Sequence, residues 1–260
     1  MADTRQKKRP GGTTPPSSPP SPAALRTARE NGRMIGLTVA GVVLSVAIAF
    51  APLSPLLVTA PVVRPLLRRV RKGDGAAATG ALWRWALAAF LTILVSTAFV
   101  RERVFSAFPF APQAARAMEQ AIAGGGAPVG LEVIVVGMIA FAGLAAASLG
   151  IAACLLMSVA LGTAAAAASV LFTHGNNVLL ISLVAFPPWL WSLLAAATLG
   201  FVPAVATGAS RWYRTGAELM ESDRMKRRAI IAGGLFLLAV LLRLTLAGPY
   251  LALVRHWTVL

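Results

Sequence analysis

The sequence predicts an all-α, polytopic integral membrane helix bundle with five or six membrane helices, a Pro-containing re-entrant or first segment and a disordered N-terminal tail. Three observations predict it. Apolar residues make up 57% of the 260, against about 45–50% in soluble domains. Charged residues make up 13%, about half the usual share, so polar surface is too scarce to cover a soluble core. Finally, 24 Lys+Arg stand against 9 Asp+Glu, a net charge of +15, while the tract 133–210 carries no Asp, Glu, Lys or Arg. On an apolar chain that balance reads as membrane topology and contact with anionic lipids, with no nucleic acid as partner. The single Cys154 excludes an intrachain disulfide and a cysteine zinc cluster.

The chain divides into a tail, 1–33, and a single membrane domain, 34–260. The tail is polar and basic, and residues 10–22 are Pro, Ser, Thr and Gly only. Such a stretch buries too little apolar area to offset its ordering entropy and is expected to be disordered. Its proline spacing also suits a polyproline-reading partner, but a plain flexible tail is the simpler reading. The apolar run after residue 33 is too long for the core of a signal peptide and has no small-residue cleavage site after it. Residues 24–33, ALRTARENGR, read as a short basic helix. They resemble the stretch before the first span of the flagellar and type III secretion switch proteins. The resemblance covers about ten residues, and the Asn-Pro-Thr-His motif of that family has no counterpart here.

A spanning helix needs about 20 apolar residues. The first segment, 34–63, is uncharged but contains Pro52, Pro55 and Pro61. The second, 80–100, is apolar except for Arg84. The uncharged tract that follows would make about 117 Å of helix against a core of about 30 Å, so it must hold several crossings. Gly150 and the polar turn His174-Gly175-Asn176-Asn177 divide it into helices at about 131–151, 152–173 and 178–209. The last segment, 229–254, is apolar except for Arg243.

Basic residues choose the topology. If 34–63 crosses and five helices follow, the two sides carry nearly equal charge. If 34–63 turns back at its prolines, the tail (7), Arg64–Arg84 (6) and Arg211–Arg228 (6) share one side, 19 together, and Arg101, Arg103, Arg116 and Arg255 are the 4 on the other. The second arrangement obeys the positive-inside rule. It predicts a re-entrant hairpin covered by protein, then five crossings, with the N-terminus cytoplasmic and the C-terminus periplasmic or extracellular. Trp83, Trp85, Trp212, Tyr213 and Trp257 fall at span ends, as an aromatic belt requires. Trp189 and Trp191 fall mid-way along 178–209, so either that helix breaks at Pro187-Pro188 or the true span is about 189–209. In the loop 101–131, Pro112 opens and Gly124-Gly125-Gly126 closes a short helix with Ala115, Met118 and Ile122 on one face. It reads as an interfacial helix on the outer leaflet, or alternatively as a lid over a pocket.

Candidate functional residues are few. Arg243 sits at mid-membrane, where Arg costs about 2.5–3.5 kcal/mol on insertion scales, and the span interiors offer it no acid; Glu132, at an outer helix end, is the nearest carboxylate. It reads as a contact for an anion or a lipid headgroup near the break at Pro187 and Pro188, or as a residue that snorkels or binds carbonyls freed at a broken helix. His174, Asn176 and Asn177 form a polar turn that reads as a cap for two helices, since a lone His falls short of a zinc site. Arg64, Arg68, Arg69, Arg71 and Lys72, with Lys226, Arg227 and Arg228, are candidate contacts for anionic lipid headgroups at about 1 kcal/mol per charge; topology alone also explains them. Ala142, Ala146, Gly150 and Cys154, then Ser158, Gly162 and Ala166, repeat at i+4 and predict a tight pair of neighbouring helices.

No P-loop, nucleophile elbow, paired carboxylate or HExxH is present in the sequence, and no cofactor or metal is expected. The halves show no inverted repeat. The Ala, Arg, Gly and Pro usage suggests a GC-rich bacterium and hence an inner membrane. The expected function is non-enzymatic: a scaffold or membrane subunit working through helix and lipid contacts, with a membrane-protein partner or as a homo-oligomer. The alternatives are a small transporter or channel subunit for an anionic or amphipathic solute, and a membrane enzyme acting on lipid. The basic run, five-helix layout and outward C-terminus are similar in layout to the Yip family of membrane proteins, without a shared motif.

Overall fold

The structure is a computed structural model that describes residues 22–124, 131–148, 150–174, 187–209 and 223–258. Among these residues the regular structure is entirely helical: α1 (Pro22–Ile48), α2 (Ser54–Arg71), α3 (Gly75–Ala107), α4 (Ala111–Ile122), α5 (Leu131–Ala147), α6 (Ile151–His174), α7 (Pro188–Ala209) and α8 (Asp223–Thr258). Five of these helices, α1, α3, α6, α7 and α8, are long and apolar enough to cross a membrane. The apolar α5 is shorter.

The short basic helix expected at 24–33 is present, and it runs without a break into the first apolar segment as α1. Ala, Leu, Arg and Glu are strong helix formers, and Pro22 suits a first position. The helix ends where Ala49 takes φ 54°, and the Phe50 carbonyl accepts the amides of Leu53 and Ser54 at 3.1 and 3.3 Å. The chain then runs back along α1 as α2. Arg68 reaches Glu30, Arg69 reaches Asn31, and Ser45 lies within 3.5 Å of the Ser54 carbonyl, which fixes an antiparallel hairpin.

Prolines were expected to turn the first segment back, but only Pro52 lies at the turn. Pro55 opens α2, while Pro61 and Pro65 lie inside it. An interior proline strips an N–H from the carbonyl four residues before it and crowds that turn. Neighbouring helices approach closely at this point. Gly41 of α1 sits so close to the Leu57 carbonyl, the one Pro61 leaves unbonded, that an added Cβ would lie 2.5 Å from its oxygen. One residue on, the Trp85 indole N–H donates to the Val58 carbonyl at 2.8 Å.

Helix α2 is the centre of the N-terminal half. Ser54, Val58, Val62, Leu66 and Val70 recur every fourth residue and are all buried, forming a stripe that α1, α3 and α6 cover. From α1 come Met34, Thr38, Val42 and Val46; from α3 come Ala78, Leu82, Trp85 and Ala89. The Thr59 hydroxyl donates to the Cys154 carbonyl of α6 at 3.3 Å. In an apolar surround such close packing, with small residues and interhelical hydrogen bonds, supplies the association energy.

The remaining helices depart from the expected boundaries for local reasons. In α3 the helix is interrupted at Val100 (φ −140°, ψ 51°), one residue before Arg101. Helix α4 seats its apolar face, Ala111, Ala115 and Met118, on α6. The Arg255 Nε–H donates to the Ala121 carbonyl at 3.0 Å, tying α8 to the same end. Gly150 takes φ 88° in the turn between α5 and α6. Their small residues do not pair mainly with each other, as the i+4 repeat suggested. Gly150 lies under Phe201 and Val205 of α7, Gly162 under Phe108, and Gly208 of α7 against the Ala146 backbone. Pro188 is the first residue of α7, which matches the shorter of the two expected spans, about 189–209; residues 178–186 lie outside the described ones. Trp189 beside Arg243 and Tyr250, with Gly200 beside Ala232, sets α8 antiparallel along α7.

Candidate functional site

Two gatherings of polar side chains stand out in the apolar bundle. The first is the end where α1 and α8 begin and α2 gives way to α3. Arg26, Arg29, Arg64, Arg68, Arg71, Lys72, Arg84, Arg224, Lys226 and Arg227 are exposed near it. Contacts knit these elements together. Arg68 pairs with Glu30 at 3.2 Å, with both side chains about half exposed, so the bond fixes register more than it stabilises. Arg228 extends its guanidinium over Gly75, in the space a Cβ there would need. Asp74 caps α3 by accepting the Ala77 amide at 3.0 Å.

Arg69 does not fit its expected role as a lipid contact. It is 8% exposed, and its fork is committed, Nη1 to the Ala77 carbonyl at 3.0 Å and Nη2 to Asn31 at 2.8 Å. A guanidinium held on two sides is a clamp between α1, α2 and α3. Arg64, Lys72, Lys226 and Arg227 are solvent-exposed at the same end. At the opposite end Arg101 pairs with Glu119 at 2.8 Å and lies 5.0 Å from the Phe105 ring, and Arg103 donates to the Ala47 carbonyl at 3.0 Å.

The second gathering surrounds Arg243, which is 8% exposed. Its guanidinium carbon lies 5.3 Å from the Trp189 ring centre, within the range of a cation–π contact. Trp189 in turn meets Tyr250 edge to face, with ring centres 5.0 Å apart. Pro187 and Pro188 place Trp189 there, because a proline at the first helical position fixes the entry of α7 and the Leu190 amide closes onto the Pro187 carbonyl at 2.9 Å. Arg243 thus faces the bundle interior beside the double proline. Neither Trp189 nor Tyr250 stood out beforehand as its partner. Tyr250 follows Arg243 by seven residues, two helical turns, and that spacing is the signal that finds it.

No protein family, curated protein or solved structure matches the chain. His174 closes α6, while Asn176 and Asn177 lie outside the described residues. Among the described residues no three His, Cys, Asp or Glu side chains gather as a metal site would require. The polar hydroxyls of the interior, Thr38, Ser45, Thr97 and Ser169 among them, donate to carbonyls of their own helices, which removes the cost of burying them.

Proposed function

We propose that the chain is a multi-pass inner-membrane protein of bacterial type, a non-enzymatic scaffold or membrane subunit whose basic end faces the cytoplasm. The observation that carries this is the shared end. The ion pair Arg68–Glu30, the clamp of Arg69 on Asn31 and Ala77, and Arg228 over Gly75 put the starts of α1, α3 and α8 and the end of α2 together. The basic residues of all four therefore lie at one end of an apolar bundle, and the positive-inside rule assigns that end to the cytoplasm. Exposed cations there attract the anionic inner leaflet, and the outer helix faces offer long aliphatic surfaces to lipid or to a partner helix. A pull-down of the full chain in mild detergent tests the reading. Reproducible recovery of one membrane-protein partner, or a defined homo-oligomer, supports a scaffold or subunit. A monodisperse monomer that moves solute across vesicle membranes refutes it.

A second reading is favoured by Arg243, buried against Trp189 at the head of α7. A cation held inside an apolar bundle suits a small transporter or channel subunit for an anionic or amphipathic solute. Uptake of such a solute by vesicles holding the purified chain, lost in Arg243→Leu, is the outcome that selects it.

A further inference from the structure

The first hairpin sets two arginines side by side. Glu30 meets Arg68, Asn31 meets Arg69, Gly41 lies on the Leu57 carbonyl and Ser45 on that of Ser54. These contacts fix the antiparallel register of α1 and α2. In that register Arg33 falls at the level of Arg64, and Arg26 at the level of Lys72. The flank is fixed as well. The ion pair Glu30–Arg68, at 3.2 Å, marks one side of the hairpin, and residues three or four apart on a helix share a side. Arg33 follows Glu30 by three residues and Arg64 precedes Arg68 by four. Both therefore lie on the flank of the ion pair, one turn toward the hairpin tip. Arg26 and Lys72 lie on it one turn the other way. All five cations are exposed, with Glu30 between them; Asp74, beyond Lys72, is committed to the Ala77 amide.

Arg33 and Arg64 are also where charge stops. Residues 34–63 between them carry none. On the same flank the next turn toward the tip is apolar on both helices. Leu37, 58% exposed, follows Arg33 by four residues, and exposed Ala60 precedes Arg64 by four. Two guanidiniums thus close the end of an apolar strip that runs down the outside of the hairpin. At an interaxial distance of about 8–10 Å, two arginines on one flank at one level can close on a single phosphate, each offering its planar fork to the oxygens. We propose that Arg33 and Arg64 together hold the phosphate of one anionic phospholipid, whose acyl chain lies along Leu37 and Ala60. This rests on the proposed placement of the basic end at an anionic leaflet and turns a general attraction into a defined site. The anion offsets the repulsion between two cations that the register forces together. An acidic peptide would match that charge but leave Leu37 uncovered, whereas a lipid carries the phosphate and the apolar chain in one molecule.

The test uses the full chain, purified and delipidated, then offered dioleoyl phosphatidylglycerol or dioleoyl phosphatidylcholine and read by native mass spectrometry, with melting followed alongside. The wild type is expected to retain a single phosphatidylglycerol in preference. Arg33→Gln and Arg64→Gln change exposed residues, so melting should hold. Each alone should narrow the preference by about fivefold or more, and the double variant should lose little beyond either, because one phosphate is shared. Arg224→Gln with Arg227→Gln removes the same charge from the same end but away from the hairpin, and should leave the bound lipid in place. Equal loss in that control overturns the site and leaves the basic end as a diffuse lipid contact. Losses at Arg33 and Arg64 that simply add overturn the shared phosphate. Displacement of the lipid by an equal concentration of glycerol 3-phosphate assigns the pair to a free phosphate and overturns the lipid. Equal retention of both lipids by the wild type overturns the site together with the lipid contact of the basic end.

Discussion

Single atoms decide how closely these helices approach. A Cβ on Gly208 would run into the backbone of Ala146, and one on Gly41 would lie 2.5 Å from the Leu57 oxygen and 3.2 Å from its carbon. Backbone cannot retreat as a flexible side chain can. Gly41→Ala is therefore expected to cost about 1–3 kcal/mol, read as a lower melting temperature in detergent, while Gly36→Ala, with open space around it, leaves melting unchanged or raises it. Trp85 gives a second prediction. Trp85→Phe keeps most of the ring but leaves the Val58 carbonyl without its indole donor beside Pro61. A loss of about 1–2 kcal/mol is expected, and the same loss with Pro61→Ala also present, since an N–H regained at residue 61 reaches the Leu57 carbonyl four residues back and not that of Val58. Melting of the single and double variants checks both. Arg243→Leu removes a buried cation from the Trp189 ring. If the contact is structural, melting falls, and Arg243→Lys recovers only part because Lys lacks the planar guanidinium. If the residue serves a solute, melting holds or rises and transport is lost.

At the scale of elements, periodicity found helices better than it found their ends. Segments 80–100 and 229–254 sit inside α3 and α8, but α3 and α8 run on into charged turns. Hydropathy sees the apolar stretch, while α8 begins in the charged turn Arg224–Arg228 and α3 resumes through Arg101–Arg103 beyond its interruption at Val100, where the expected segment ends. The prolines were the hardest to read. Pro52 is at a turn and Pro55 and Pro188 open helices, all local effects. Pro61 and Pro65 stay inside α2, where Gly41 of α1 closes on the Leu57 carbonyl and Trp85 of α3 donates to that of Val58, tertiary contacts that α2 alone does not display. The i+4 repeat of small residues marked close approach correctly in kind, but a repeat on one helix does not name the helix that meets it. Gly150 meets α7, Cys154 meets α2 and Gly162 meets Phe108. The central role of α2 is testable on the same footing. Thr59→Val keeps the shape and removes the hydroxyl that bridges to the Cys154 carbonyl. It should cost about 0.6 kcal/mol, the average for such bonds in a membrane bundle, against the larger penalty for Trp85→Phe.

Over the whole molecule, charge was more informative than hydropathy. Counting spans left five or six open, whereas counting cations on each side required the first segment to return. The pairs Glu30–Arg68 and Asn31–Arg69 bring the far ends of α1 and α2 together, but α1 is itself long and apolar enough to cross a membrane, so the hairpin is longer than the re-entrant turn expected of 34–63. Arg243 was legible as the outlier within an apolar span, but its surroundings were not, because Trp189 lies on a different helix. Arg69 looked like its neighbours in a basic run; only the approach of Asn31 and the α3 carbonyl made it a clamp. The central claim is that the basic end, with both arms of the first hairpin, faces the cytoplasm. Thiol accessibility tests it most directly. In a Cys154→Ala background, single replacements Arg29→Cys, Lys72→Cys and Ala123→Cys are exposed to an impermeant thiol reagent on intact cells and again after permeabilisation. The prediction is labelling of Ala123→Cys on intact cells, with Arg29→Cys and Lys72→Cys reacting only after permeabilisation. Labelling of Lys72→Cys on intact cells while Arg29→Cys stays protected would place the arms of the hairpin on opposite sides and contradict the account.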